Sequence, residues 1–95
     1  MTKEVITLRV KADSNVKAVA GSISHALKGD ENTSGKNVEI LAIGAGACNQ
    51  VVKAIAISSG HIATWGETLT TRIGFKVAEI NGEEKTIMRF LVEIA

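Results

Sequence analysis

The chain has 95 residues, 45% of them hydrophobic and 22% charged, which fits one globular domain and excludes a disordered chain. Eleven Lys and Arg against ten Asp and Glu leave a net charge of +1. That excludes the strongly basic balance of an autonomous DNA binder, so any contact with nucleic acid needs cations gathered on one face. Two Phe, one Trp and no Tyr weigh against modules that stack bases on exposed rings.

Residues 5–10 alternate: Ile6, Leu8 and Val10 point one way, and Val5, Thr7 and Arg9 the other, the pattern of a half-buried strand. Asp13, Ser14 and Asn15 then offer an N-cap. Val16, Val19, Ala20, Ile23 and Leu27 follow at helical spacing, with Lys17, Gly21, Ser24, His25 and Lys28 opposite and Gly29 as C-cap. Residues 30–37 are polar and turn-rich, a solvent loop. Residues 38–43 are apolar on both sides and predict a central strand.

Gly44-Ala45-Gly46 turns into a second helix, predicted over residues 47–59 and stopped by Gly60. Its polar stripe is narrow, consisting of Asn49, Gln50 and Lys53, and the rest of its circumference is apolar. A helix of that kind is buried on two sides. The sheet covers one, and in so small a domain a second copy most easily covers the other, which predicts a homodimer with this helix at or near the interface. Trp65, in the next connection, reads as a packing anchor beside the helix. Ile73, Phe75 and Val77 alternate with Arg72, Gly74 and Lys76 in a third strand. Asn81-Gly82 is a hairpin signal, and residues 86–94 form a fourth strand.

The order βαβαββ predicts a two-layer α/β domain: a mixed four-stranded sheet with both helices on one face. The other face then carries Arg9, Arg72, Lys76 and Arg89, with Glu39 and Glu93 between them. No linker or internal repeat divides the chain, so residues 1–95 form one domain. The apolar segment at residues 54–57 is too short to span a bilayer. The single Cys48, without a signal-type leader, points to the reducing cytoplasm.

The strand-to-helix turn from Ile43 to Ala47 can bring backbone N–H groups to a phosphate. It is not a nucleotide fingerprint: Asn49 stands where the third glycine belongs, Glu67 falls in a loop, and no Gly-Lys-Ser/Thr follows. Cys48 lies in the first turn of the helix, where a thiol's pKa falls, but no base accompanies it and it reads as a small buried residue rather than a nucleophile. His25, His61 and Cys48 lack zinc spacing. In a βαβαββ domain both βα turns lie at the same end of the sheet, so Lys11, Lys17, Gly44, Gly46 and Asn49 converge. Phosphate contact needs only such charge and N–H donors. Lys53, Arg72 and Lys85 would add charge.

Three stretches carry a resemblance. Val-Lys-Ala-Val-Ala-Gly at residues 16–21, Leu-Ala-Ile-Gly-Ala-Gly-Ala-Cys-Asn-Gln-Val-Val-Lys-Ala-Ile-Ala-Ile-Ser-Ser-Gly at 41–60 and Asn-Gly-Glu-Glu-Lys-Thr-Ile-Met-Arg-Phe-Leu-Val-Glu at 81–93 resemble the stage V sporulation protein S family of the Alba superfamily. The resemblance implies an Alba-like βαβαββ fold, a homodimer or higher oligomer, and a small regulatory, nucleic-acid-associated role of the sporulation type. It implies no catalysis, cofactor or metal. The chain differs from Alba proteins in its uncharged Ile43 and Ala45 and in a tight hairpin, acidic at Glu83 and Glu84. It differs from the sporulation family in Asp13, where that family usually has Lys. The expected activity is therefore weak, non-specific contact with DNA or RNA backbone. The alternative is a protein-interaction or assembly module of the same fold without nucleic-acid binding, which the near-zero net charge favours.

Overall fold

The computed structural model describes residues 3–31 and 34–95; of the expected loop at 30–37, Asn32 and Thr33 lie outside the described residues. The elements run β1 (Val5–Val10), α1 (Val16–Lys28), β2 (Asn37–Ala42), α2 (Ala45–Ala63), β3 (Leu69–Ile80) and β4 (Glu83–Ile94), and the sheet order is β1-β2-β4-β3. β1 and β2 are parallel, whereas β4 is antiparallel to both of its neighbours. The chain is thus a mixed-sheet βαβαββ domain of two layers.

Local chemistry explains the element ends. Asn15 caps α1, its side chain accepting from the Ala18 amide at 2.9 Å, and Gly29 closes the helix with its N–H donating to the His25 carbonyl. Asn81 and Gly82 both take positive φ, 54° and 79°, as a two-residue type I′ hairpin turn requires. Other boundaries differ from expectation. α2 starts two residues early, at Ala45, and passes through Gly60 to Ala63. A glycine inside a helix costs about 1 kcal/mol against alanine, and burial of Ser58 and Ile62 on either side of Gly60 offsets it. β3 and β4 extend to the turn itself because the hairpin pairs continuously from Leu69↔Ile94 to Ile80↔Glu83.

The core lies between the helices and one face of the sheet. It joins Val10 of β1 and Val38, Ile40 and Ala42 of β2 to Phe90 and Val92 of β4, under Ala20, Ile23 and Leu27 of α1 and Val51 and Ala54 of α2. Where the helices touch, Ser24 and Ser58 are buried and their hydroxyls lie 2.7 Å apart, with His61 Nδ1 2.9 Å from Ser24 Oγ. Ser24 therefore belongs to the helix contact, not to the polar face on which its position in the stripe had placed it. Trp65 is an exposed ring with the Lys28 ammonium 5.2 Å from its centroid, so it anchors the end of α1 through a cation–π contact.

The helix layer stops short of β3. Register places Ile73 beside Phe90 and Phe75 beside Met88, so both side chains emerge on the helix-bearing face, as does Val77 two residues on. They are 62%, 68% and 55% exposed for Ile73, Phe75 and Val77, and Val52 on the outer side of α2 is 56% exposed. α2 is thus covered by the sheet and by α1, and a third flank remains open.

Candidate nucleic-acid interface

The two βα turns meet, as their topology requires. Lys11 follows the last residue of β1, and its amide donates to Ser14 Oγ at 2.8 Å while the Ser14 amide returns to the Lys11 carbonyl at 3.0 Å. This tight loop presents Lys11 and Asp13 to solvent and leads into the first turn of α1, where Lys17 is also exposed. The second turn is built by Gly44, whose φ of +88° lies where residues with a Cβ are strained. A methyl placed on Gly46 would stand only 3.0 Å from the Ala12 Cβ. Gly46 thus sits against the first loop, and Gln50, one turn further along α2, donates from Nε2 to the Ser14 carbonyl at 2.9 Å.

α2 begins at this junction without a side-chain cap and without an acidic residue in its first turn. Its leading N–H groups and the positive end of its dipole therefore face the same end of the molecule as Lys11 and Lys17. Asn49 and Lys53 are exposed further along α2. Cys48 is half-buried and packs against the core.

Two of the expected cations have other partners. Arg72, in the edge strand β3, donates to Glu93 Oε1 at 2.8 Å, and Lys85 lies 3.1 Å from Glu83 Oε2 beside the hairpin turn. Both belong to the β3–β4 hairpin rather than to the meeting of the two turns. On the helix-free face Arg89 donates to Glu39, which also accepts from Thr7 Oγ1 at 3.1 Å. The hydrogen bond from Arg89 is the largest cause that lowers the Glu39 pKa; desolvation opposes it, while Thr7 and the charges of Arg89 and Lys76 assist. The structure also adds residues that sequence reasoning had not placed in the site: Gln50 and Ala12, which fix one turn against the other. In the sequence Gln50 belongs to a polar stripe, although its position one helical turn after Gly46 puts it within reach of the neighbouring loop.

Among the described residues there is no group of three or more His, Cys, Asp or Glu able to hold a metal ion, and no helix long and apolar enough to cross a membrane.

The architecture is that of a two-layer α/β protein, βαβαββ, with both helices on one face of a mixed four-stranded sheet. A family model described as Stage V sporulation protein S matches residues 6–95. The chain belongs to that family, which makes it a small sporulation-associated protein.

Proposed function

We propose that this protein contacts nucleic-acid backbone weakly and without sequence preference, as a homodimer, in a regulatory rather than catalytic role in the cytoplasm. The observation that carries the reading is the packed junction of the two βα turns. Lys11 and Lys17 are exposed at the end of the molecule where α2 begins without a side-chain cap, and Gly44, Gly46 and Asn49 are exposed along its first turn, which supports contact with an anion there. Charge and N–H groups so placed suit phosphate oxygens and read no base. Lys53 extends the cationic side along α2. Arg72 and Lys85, each paired with a carboxylate, contribute less than the sequence suggests, which keeps the number of neutralised phosphates small.

The dimer rests on the open flank of the helix layer. Ile73, Phe75 and Val77 stand on an edge strand, and an exposed apolar edge is an aggregation template unless something covers it. Covering each large side chain stabilises by about 1.5–3 kcal/mol. The same stripe supports a second reading, in which the surface takes a different protein and nucleic acid plays no part.

Fluorescence anisotropy with labelled single- and double-stranded DNA and RNA, titrated at about 50 and 200 mM salt, separates the two. Salt-sensitive binding supports the first reading and names the preferred nucleic acid. Absence of binding at the lower salt moves the function to the apolar stripe and a protein partner.

A further inference from the structure

The helix-free face holds an apolar feature that shares only Lys11 with the proposed nucleic-acid surface. Beyond the C-terminal ends of β1 and β2 lies a half-open hollow of about 290 Å³. Its floor is made by Leu41 and Ile87, both buried, and Ile43 and Ile80 form an exposed apolar rim. Ile80 comes from the far end of the β3–β4 hairpin, so the sheet curls enough for that end to face the first two strands. Arg9 and Lys11 stand in the lining beside Val10, Ala12 and Ala42 at the strand ends. Neither cation is in an ion pair among the described residues, whereas Arg72, Lys85 and Arg89 on the hairpin each have a carboxylate.

We propose that this hollow binds a small amphiphilic anion: a carboxylate with an aliphatic tail, its head held by Arg9 and Lys11 and its tail lying on Leu41, Ile43, Ile80 and Ile87. Size, wall chemistry and charge select that class. The volume is near the lower end of small-molecule sites, about 300–1,000 Å³, which suits a tail of modest length. The wall is aliphatic, with no aromatic ring to stack a base and no side-chain amide or hydroxyl to read one, so a nucleobase gains little there. The two free cations supply charge-assisted hydrogen bonds at the mouth, and a guanidinium pairs with a carboxylate in bidentate fashion. Ligands of open parallel strands also collect at their carboxyl ends.

The test uses the full chain and decanoate below its micellar concentration, followed by methyl NMR. The expected result is saturable one-to-one binding with shifts centred on the methyl groups of Leu41, Ile43, Ile80 and Ile87. Decanol, with the same tail and no charge, binds at least about tenfold more weakly, and so does decanoate to the Arg9→Gln/Lys11→Gln variant. Ile43→Trp, which changes an exposed rim residue, fills the hollow and removes binding while the unfolding midpoint stays unchanged. No saturation by about 1 mM, equal affinity for decanol, or shifts centred instead on Ile73 and Val77 overturns the proposal. Displacement of decanoate by a single-stranded oligonucleotide that moves the same methyl groups also overturns it, by assigning the hollow to the nucleic-acid surface. Oligonucleotide binding that leaves those methyl groups unmoved keeps the two sites separate.

Discussion

Glu39 shows how a single side chain organises the helix-free face. It stands in β2 between Thr7 of β1 and Arg89 of β4 and takes a hydrogen bond from each. Its carboxyl is held below its ordinary range, chiefly by the Arg89 hydrogen bond. A pKa depressed by folding means that the unfolded chain takes up the proton more readily, so the pair contributes stability above the ordinary glutamate value of about 4.3 and loses it as pH falls through the lower folded value. Arg89 is 44% exposed, so solvent screens the pair and Glu39→Gln is expected to cost only about 0.5–1 kcal/mol at pH 7. Urea unfolding of both proteins along a pH series checks the sign: the difference starts to narrow as pH falls below about 4.3, and a difference that does not narrow as the carboxylate protonates would mean that Glu39 acts by packing. Gly46 makes a second residue-scale case. Its neighbour Ala12 is so close that Gly46→Ala needs a small displacement of the first loop, whereas Gly46→Val overpacks it and costs about 1–3 kcal/mol. Ala12→Gly is expected to restore part of the Gly46→Val loss, measured as coupling in a double-mutant cycle; strict additivity would place the strain elsewhere.

Elements with their own punctuation were the most legible in the sequence. α1 has an asparagine at its start and a glycine at its end, and both cap it as expected. The hairpin turn was equally plain, because Asn-Gly tolerates the positive φ that the turn demands. Gly60 misled because a glycine ends a helix only when nothing beyond it is worth burying, and Ile62 is fully buried. Ser24 misled for a related reason: a hydroxyl was assigned to water, yet position 24 is four residues after buried Ala20 and three before buried Leu27, on the side that meets α2. What one chain's pattern could not display was how far the helix layer reaches. Ile73, Phe75 and Val77 alternate like any strand facing a core, and only the order β1-β2-β4-β3 shows that the core ends before them. Phe75→Glu separates burial within the chain from burial between chains. The residue is exposed in the single chain, so stability of the folded protomer should change by no more than about 0.5 kcal/mol. Sedimentation should find the parent protein dimeric at micromolar concentration and the variant monomeric. A monomeric parent would remove the homodimer.

For the whole molecule, the location of the candidate interface followed from topology, since two βα turns of one sheet must share an end. Its strength did not, because it depends on which cations are already paired. Arg72 meets Glu93 and Lys85 meets Glu83 across distances set by strand register and hairpin geometry, whereas Lys11 and Lys17 have no ion pair among the described residues. Open charge is therefore left at the turn end, opposed there by the exposed Asp13. Such a surface neutralises about 2–4 phosphates, for which affinity to duplex DNA falls about 10- to 150-fold between about 50 and 200 mM salt. Three variants test the distribution. Lys11→Glu/Lys17→Glu reverses the free pair and is expected to abolish measurable binding. Asp13→Lys removes the opposing charge and should tighten binding while steepening the salt dependence by about one phosphate. Arg72→Gln, acting on a cation already held by Glu93, should leave both affinity and slope close to the parent values. The ordering matters more than any single constant, because all four positions are exposed and none supports the core. If Arg72→Gln weakens binding as much as the Lys11/Lys17 reversal does, phosphate lies along the hairpin face and the turn junction is a packing device alone.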